Sequence, residues 1–326
     1  MSFFRMNIVM AALAAIVMVG CNANDPVDPG TAPDAPSGTM VQSVSASSVR
    51  VKWTGPAITT DVTGYDVVAT EVTAGTPEVM KVTVSGAAST VGDVGGLTEG
   101  KTYRFTVFSL NGTTRSSTSS VAVEWAPARR GTGSYRLYSS ANATQGSGLG
   151  IFLPAGPNTL LTAAGGQWDI AFDDGVAGSP RIGSPGVSSY VNANAEFKSH
   201  IDQVAKVVFL STKQYPGIST LDDMFDTDAL AIPATSGEGL ISINSIGGTA
   251  NLGFVIGSAN ADGTINFAKI LLKRGANGQF VQGTGAMSYV DVEVSYQKFA
   301  DVPYALRQRV SGTTVSRNAR TIESAK

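Results

Sequence analysis

The chain has 326 residues, room for two domains of ordinary size. A formal net charge of −2 with 15% charged residues offers no basic surface for nucleic acid, and the single cysteine excludes an internal disulfide framework and a multi-cysteine metal centre. Gly (37 residues), Thr, Ser and Val are abundant, which favours strands and turns and predicts an all-β protein.

Residues 1–21 read as a signal peptide. Arg5 supplies a short positive start, and residues 8–19 (IVMAALAAIVMV) are an apolar run too short to span a bilayer core of about 30 Å. The run ends in Val19-Gly20-Cys21, which resembles the lipobox of bacterial lipoproteins, although Met18 stands where Leu is usual. That resemblance implies cleavage between Gly20 and Cys21, lipidation of Cys21, and a membrane partner reached through lipid rather than a helix. Asn22, where an Asp would resemble an inner-membrane retention signal, points to the outer membrane. Residues 22–36 carry Pro26, Pro29, Pro33 and Pro36, a composition that prefers extended backbone and reads as a semi-rigid tether.

A first β-module is expected over residues 37–127. Val49, Val51 and Trp53 alternate, as do Tyr65 and Val67, then Met80, Val82 and Val84, then Tyr103, Phe105 and Val107, and last Val121, Val123 and Trp125. Period two with one apolar face is what a half-buried strand requires. The stretch resembles the fibronectin type III family. Trp53 matches that family's buried tryptophan, Tyr65 its aromatic on the next strand, and Leu97 with Tyr103 the Leu-x5-Tyr spacing of a tyrosine corner. The resemblance implies a β-sandwich that serves as spacer or binding platform, with Trp53 and Tyr103 in the core.

Residues 126–133 (APARRGTG) read as a boundary, and 134–300 as a larger antiparallel β-rich domain. Strands are expected at 134–138, 149–153, 159–163, 167–172, 204–210, 239–244, 251–257, 264–273, 278–282 and 288–296, with turns at 261–263 and 276–278. A helical turn is expected at 220–225 with Ser219 or Thr220 as its cap. Residues 301–326 form a basic tail, read as a solvated terminus.

Three segments of this domain, Gln167-Trp168-Asp169-Ile170-Ala171-Phe172, Phe267-Ala268-Lys269-Ile270-Leu271-Leu272 and Val292-Glu293-Val294-Ser295-Tyr296-Gln297, resemble strands of the HmuY-like family of bacterial haem-binding lipoproteins. That resemblance implies a β-rich fold that holds haem, or takes it from a haemoprotein, with the iron ligated by His or Met. His200 is the sole histidine, so a bis-His site within one chain is excluded. The candidate ligands are His200, Met224 and Met287; each also has an ordinary structural reading, a solvated histidine or a gap-filling methionine.

No nucleophile elbow, zincin motif or phosphate-binding loop is present, so no enzyme is expected; Asp169, Asp173 and Asp174 are read as strand and turn residues rather than a glycosidase pair. Asp222, Asp223, Asp226 and Asp228 lack the ordered spacing of a calcium loop and read as a solvated helix start. The expected function is a non-enzymatic envelope lipoprotein that presents a ligand-binding β-domain, for haem acquisition. The alternative is a surface adhesion or structural protein that binds glycan or protein.

Overall fold

The computed structural model describes residues 31–72, 79–164, 167–175, 177–185, 207–210, 215–225, 240–243, 246–260 and 262–304. The leader with Cys21, most of the tether, His200, Asp226, Asp228 and the tail beyond 304 lie outside the described residues. Among the described residues every regular element is a strand or a single 3-10 turn, so the all-β expectation holds.

The first module contains β1 (Ser37–Ser45), β2 (Ser48–Thr54), β3 (Gly64–Glu71), β4 (Val79–Ser85), β5 (Val91–Val94), β6 (Tyr103–Asn111), β7 (Thr114–Arg115) and β8 (Val123–Trp125). One sheet has the order β1-β2-β5; the other runs β4-β3-β6-β7, with β8 also on β6. The alternating residues read from the sequence point between the sheets, except Val121, which precedes β8 and stands 81% exposed. Val49, Val51, Tyr65, Val67, Tyr103, Phe105 and Val107 are fully buried. Trp53 packs against Tyr65 at 5.1 Å between ring centroids. The Tyr103 hydroxyl accepts the Thr98 backbone N–H at 3.0 Å, which closes the corner that the Leu97–Tyr103 spacing implied.

The second module contains β9 (Arg129–Arg130), β10 (Tyr135–Tyr138), β11 (Gly148–Gly150), β12 (Asn158–Leu160), β13 (Ile170–Asp173), β14 (Arg181–Gly183), β15 (Val207–Leu210), β16 (Tyr215–Ile218), β17 (Leu240–Ser242), β18 (Asn251–Ala259), β19 (Ile265–Lys273) and β20 (Tyr289–Tyr296). The larger sheet runs β10-β20-β19-β18-β15, with β9 on β20 and β16 on β18; the smaller runs β12-β11-β13-β14-β17. Phe254, Ile270, Val292 and Val294 of the larger sheet meet Leu149, Phe172 and Ile182 of the smaller in one core.

Three expectations need correction. The tail expected as a solvated terminus from residue 301 begins inside the fold, with Pro303 and Tyr304 buried. Residues 278–282 form no strand: Phe280 dips into the core from a loop, stacked under Arg274 at 3.9 Å, and only Gln282 bridges to Tyr289. The expected helix at 220–225 is shorter, a 3-10 turn at Leu221–Asp223, but its cap is as read: Thr220 and Asp223 form a reciprocal capping box. Asp173 and Asp174 serve the fold. Asp174 accepts the Ser139 hydroxyl at 2.7 Å and the Ser288 hydroxyl, and Asp173 is fully buried near Arg181.

Candidate functional site

The larger sheet of the second module is covered on both faces. Along β19, Ala268, Ile270 and Leu272 face the core between the two sheets. Phe267, Lys269 and Leu271 face the other way, because successive side chains alternate. On that second face Leu271 and Val255 join a hydrophobic cluster that is continuous with the first module's core through Trp125, Met224, Leu221 and Tyr304.

Lys269 sits in the middle of this junction with 2% of its surface exposed. Its ammonium lies 5.0 Å from the Trp125 ring centroid and 5.3 Å from that of Tyr304, and donates to the Met224 carbonyl at 2.5 Å. Desolvated cation–π contacts of this kind are among the stronger ones. The two rings are tilted against each other at 5.5 Å. The Tyr304 hydroxyl donates to Ser295 Oγ at 2.6 Å, and burial pushes its ionisation far above the ordinary tyrosine value although the serine bond opposes the shift.

Polar bonds tie the connector down around that core. Trp125 Nε1 donates to Ser43 Oγ, which donates to the Ala126 carbonyl, each at 2.9 Å. Gln297 Nε2 reaches the Pro127 carbonyl at 2.8 Å, and the Ala126 N–H reaches the Pro303 carbonyl at 2.9 Å. Arg130 binds the Ser43 carbonyl at 2.9 Å and the Asp222 carboxylate at 2.6 Å, while Arg50 of β2 takes the other Asp222 oxygen at 3.2 Å. The capped turn that carries Asp222 is therefore a bracket between modules. Among the described residues no cluster of His, Cys, Asp and Glu is arranged to hold a metal ion.

Beside this junction lies a groove of about 570 Å³, lined by residues 44–46 of the first module, the connector 129–132, Tyr135, the loop 155–157 and Tyr296. The volume lies in the range of small-molecule sites. Its charged lining groups are Arg129 and Arg130, with Glu99 holding Arg129 at 2.8 Å from behind. Glycine shapes the wall: a Cβ on Gly131 would meet the Tyr135 ring at 2.7 Å, so the ring lies close over bare backbone. The Tyr135 hydroxyl accepts the Thr132 N–H at 3.3 Å. Burial raises the ionisation of Tyr296, against the pull of the neighbouring Arg129.

Of the candidate haem ligands, Met224 and Met287 do not line the groove and the structure does not bring them together; His200 lies outside the described residues. Met224 is fully buried, its sulfur 2.8 Å from where a Cβ on Gly253 would lie. Met287 is 58% exposed and its sulfur accepts from Asn142 Nδ2 at 3.4 Å. Met224 is tied to Lys269, whose cross-strand partner Ser295 lies six residues along the chain from Tyr289, just after Met287. At about 3.4 Å per residue that separation is roughly 20 Å. Two axial ligands of one iron must sit on opposite sides of the same atom, so this fold does not build a Met224–Met287 pair. The sequence reading missed the groove and the Lys269 junction, both of which are made by residues far apart in the chain.

The first module's two antiparallel sheets, its buried Trp53 and its tyrosine corner define a β-sandwich of the immunoglobulin-like class. Residues 34–125 match the fibronectin type III domain family, within three residues of the boundaries read from the sequence. Similar solved structures include the FN5 domain of Drosophila Lar (22% identity, 29% of this chain and 97% of that one, TM-score 0.24) and a fibronectin type III domain of human collagen XX (21%, 30% and 97%, TM-score 0.24). The FN1–FN3 domains of chicken CNTN1 match at 20% identity over 29% of this chain and 33% of that one, TM-score 0.27. No curated protein sequence matches the chain.

Proposed function

We propose that the protein is a non-enzymatic binding protein of the bacterial cell envelope, held to the outer membrane by lipid on Cys21, whose ligand site is the groove between the two β-modules. The supporting observation is that one groove of about 570 Å³ takes its walls from both modules and the connector. Its chemistry favours a glycan. Tyr135 offers a half-buried ring for an apolar sugar face, and Arg129, Arg130 and Thr132 offer donors for hydroxyl or carboxylate oxygens. A glycan array probed with the lipid-free protein tests this reading. Binding that Tyr135→Ala abolishes supports it; binding indifferent to Tyr135→Ala and Arg129→Gln contradicts it.

A second reading, haem acquisition, is supported by the resemblance of residues 167–172, 267–272 and 292–297 to the HmuY-like family and by the exposed position of Met287. Titration with ferric and ferrous haem separates the two. A low-spin Soret spectrum that weakens in Met287→Ala favours haem, and a spectrum equal to that of free haem excludes it.

A further inference from the structure

The strands β18 (NLGFVIGSA) and β19 (INFAKILLK) are close to continuously apolar. A strand with one wet face alternates polar and apolar residues; a strand without that alternation is covered on both sides. The smaller sheet covers only one face of these strands. On the other, Val255, Lys269 and Leu271 are 0%, 2% and 1% exposed. Their cover is the 221–224 turn, Tyr304 and the end of the first module at Trp125 and Ala128.

From this we infer that the fibronectin type III domain is the third layer of the second module, and that the two fold and unfold as one cooperative unit. It is not a separable spacer. Three observations converge. First, one hydrophobic cluster runs without a break from Val41 and Trp53, through Trp125, to Val255 and Leu271. Cooperative units in proteins follow shared cores. Second, Lys269 cannot lose its cover cheaply or keep it without the first module. Its ammonium is desolvated against Trp125, the last residue of β8, and the Trp125–Tyr103 pairing fastens β8 to β6. Undocking leaves both the Lys269 stem and the Trp125 ring facing water. Third, the connector has no slack. β9 pairs with β20 through Arg129↔Tyr296 and Arg130↔Ser295, only four residues after Trp125. The intervening Ala126 and Ala128 are fully buried.

The inference is independent of the groove's ligand. Its test is hydrogen exchange with mass spectrometry across a urea series on the full chain, reading peptides from β6 and β18 separately. The expected result is a single shared midpoint. Tyr103→Phe, which removes a bond wholly inside the first module, lowers the β6 and β18 midpoints by the same amount. Ile182→Val, in the far sheet of the second module, does likewise in the opposite direction of transfer. Both substitutions are conservative enough to fold. A β18 midpoint that stays in place while β6 shifts, or a β6 transition that precedes β18 in the unsubstituted chain, overturns the inference.

Discussion

The Lys269 ammonium lies 5.0 Å from the centre of the Trp125 ring, so a central strand of one module and the last strand of the other meet through a buried cation and an aromatic face. The charge is not stranded there: the Met224 carbonyl accepts from it at 2.5 Å, and the Tyr304 ring flanks it at 5.3 Å. This contact sets the relation of the modules, and several outcomes are expected from it.

Truncation of Lys269 to Ala removes the buried stem as well as the cation. It is expected to cost about 3 kcal/mol of stability. Lys269→Met keeps the stem's volume and loses the donor to the Met224 carbonyl, with an expected cost of about 1 kcal/mol. Urea unfolding of the two variants side by side checks the order. Equal costs would mean that packing of the stem contributes nothing.

Tyr103→Phe deletes the bond from the Thr98 N–H without opening a cavity. The expected loss is about 1 kcal/mol, typical of a hydrogen bond removed from one side. Thermal unfolding at neutral pH measures it.

Asp66 carries the clearest pH dependence of the first module. Burial alone would raise its carboxyl, but bonds from Thr83 and Arg115, with the charges of Arg115 and Lys81, outweigh burial and hold it below the ordinary carboxylate value. A folded-state value below the unfolded one gives stability that is present above the unfolded value, about 3.9, and lost as pH falls through the folded one. The stability gap between the unsubstituted protein and Asp66→Asn is therefore expected to be constant near neutrality and to close below about pH 4. A gap that persists unchanged in acid would contradict the assignment.

Gly131→Ala places a methyl group where the Tyr135 ring lies, since the nearest ring atom is 2.7 Å from the Cβ position. The ring must swing away. Glycan binding in the groove is expected to fall at least tenfold with little change in melting temperature, measured by titration and by thermal unfolding.

Much of the architecture was legible in residue patterns. The alternation of Val49, Val51 and Trp53, and the five-residue gap between Leu97 and Tyr103, are local signals with local causes. Thr220 was legible as one of two candidate caps for the same reason, while its reciprocal box with Asp223 emerged only in the structure. β14 escaped because a three-residue strand, Arg181–Gly183, carries no period. β16 escaped because Pro216 argues against a strand, and it survives only at an edge, with a register shift in its pairing to β18. The junction was hidden by separation in the chain. Lys269, Trp125, Tyr304 and Met224 come together only in the tertiary fold, although the largely apolar run around Lys269 implies cover on both faces. Residues 126–133 read as a boundary from their composition, which carries no sign that Ala126 and Ala128 are fully buried.

The fixed relation of the two modules is the claim on which the groove depends, and a distance distribution tests it most directly. Spin labels at Val121→Cys in the first module (81% exposed) and Met287→Cys in the second (58% exposed), with Cys21→Ser, report the separation by pulsed electron resonance. A single narrow distribution that broadens in Trp125→Ala is the predicted result. A broad distribution in the otherwise unsubstituted chain would show two modules that move independently, and would contradict the account.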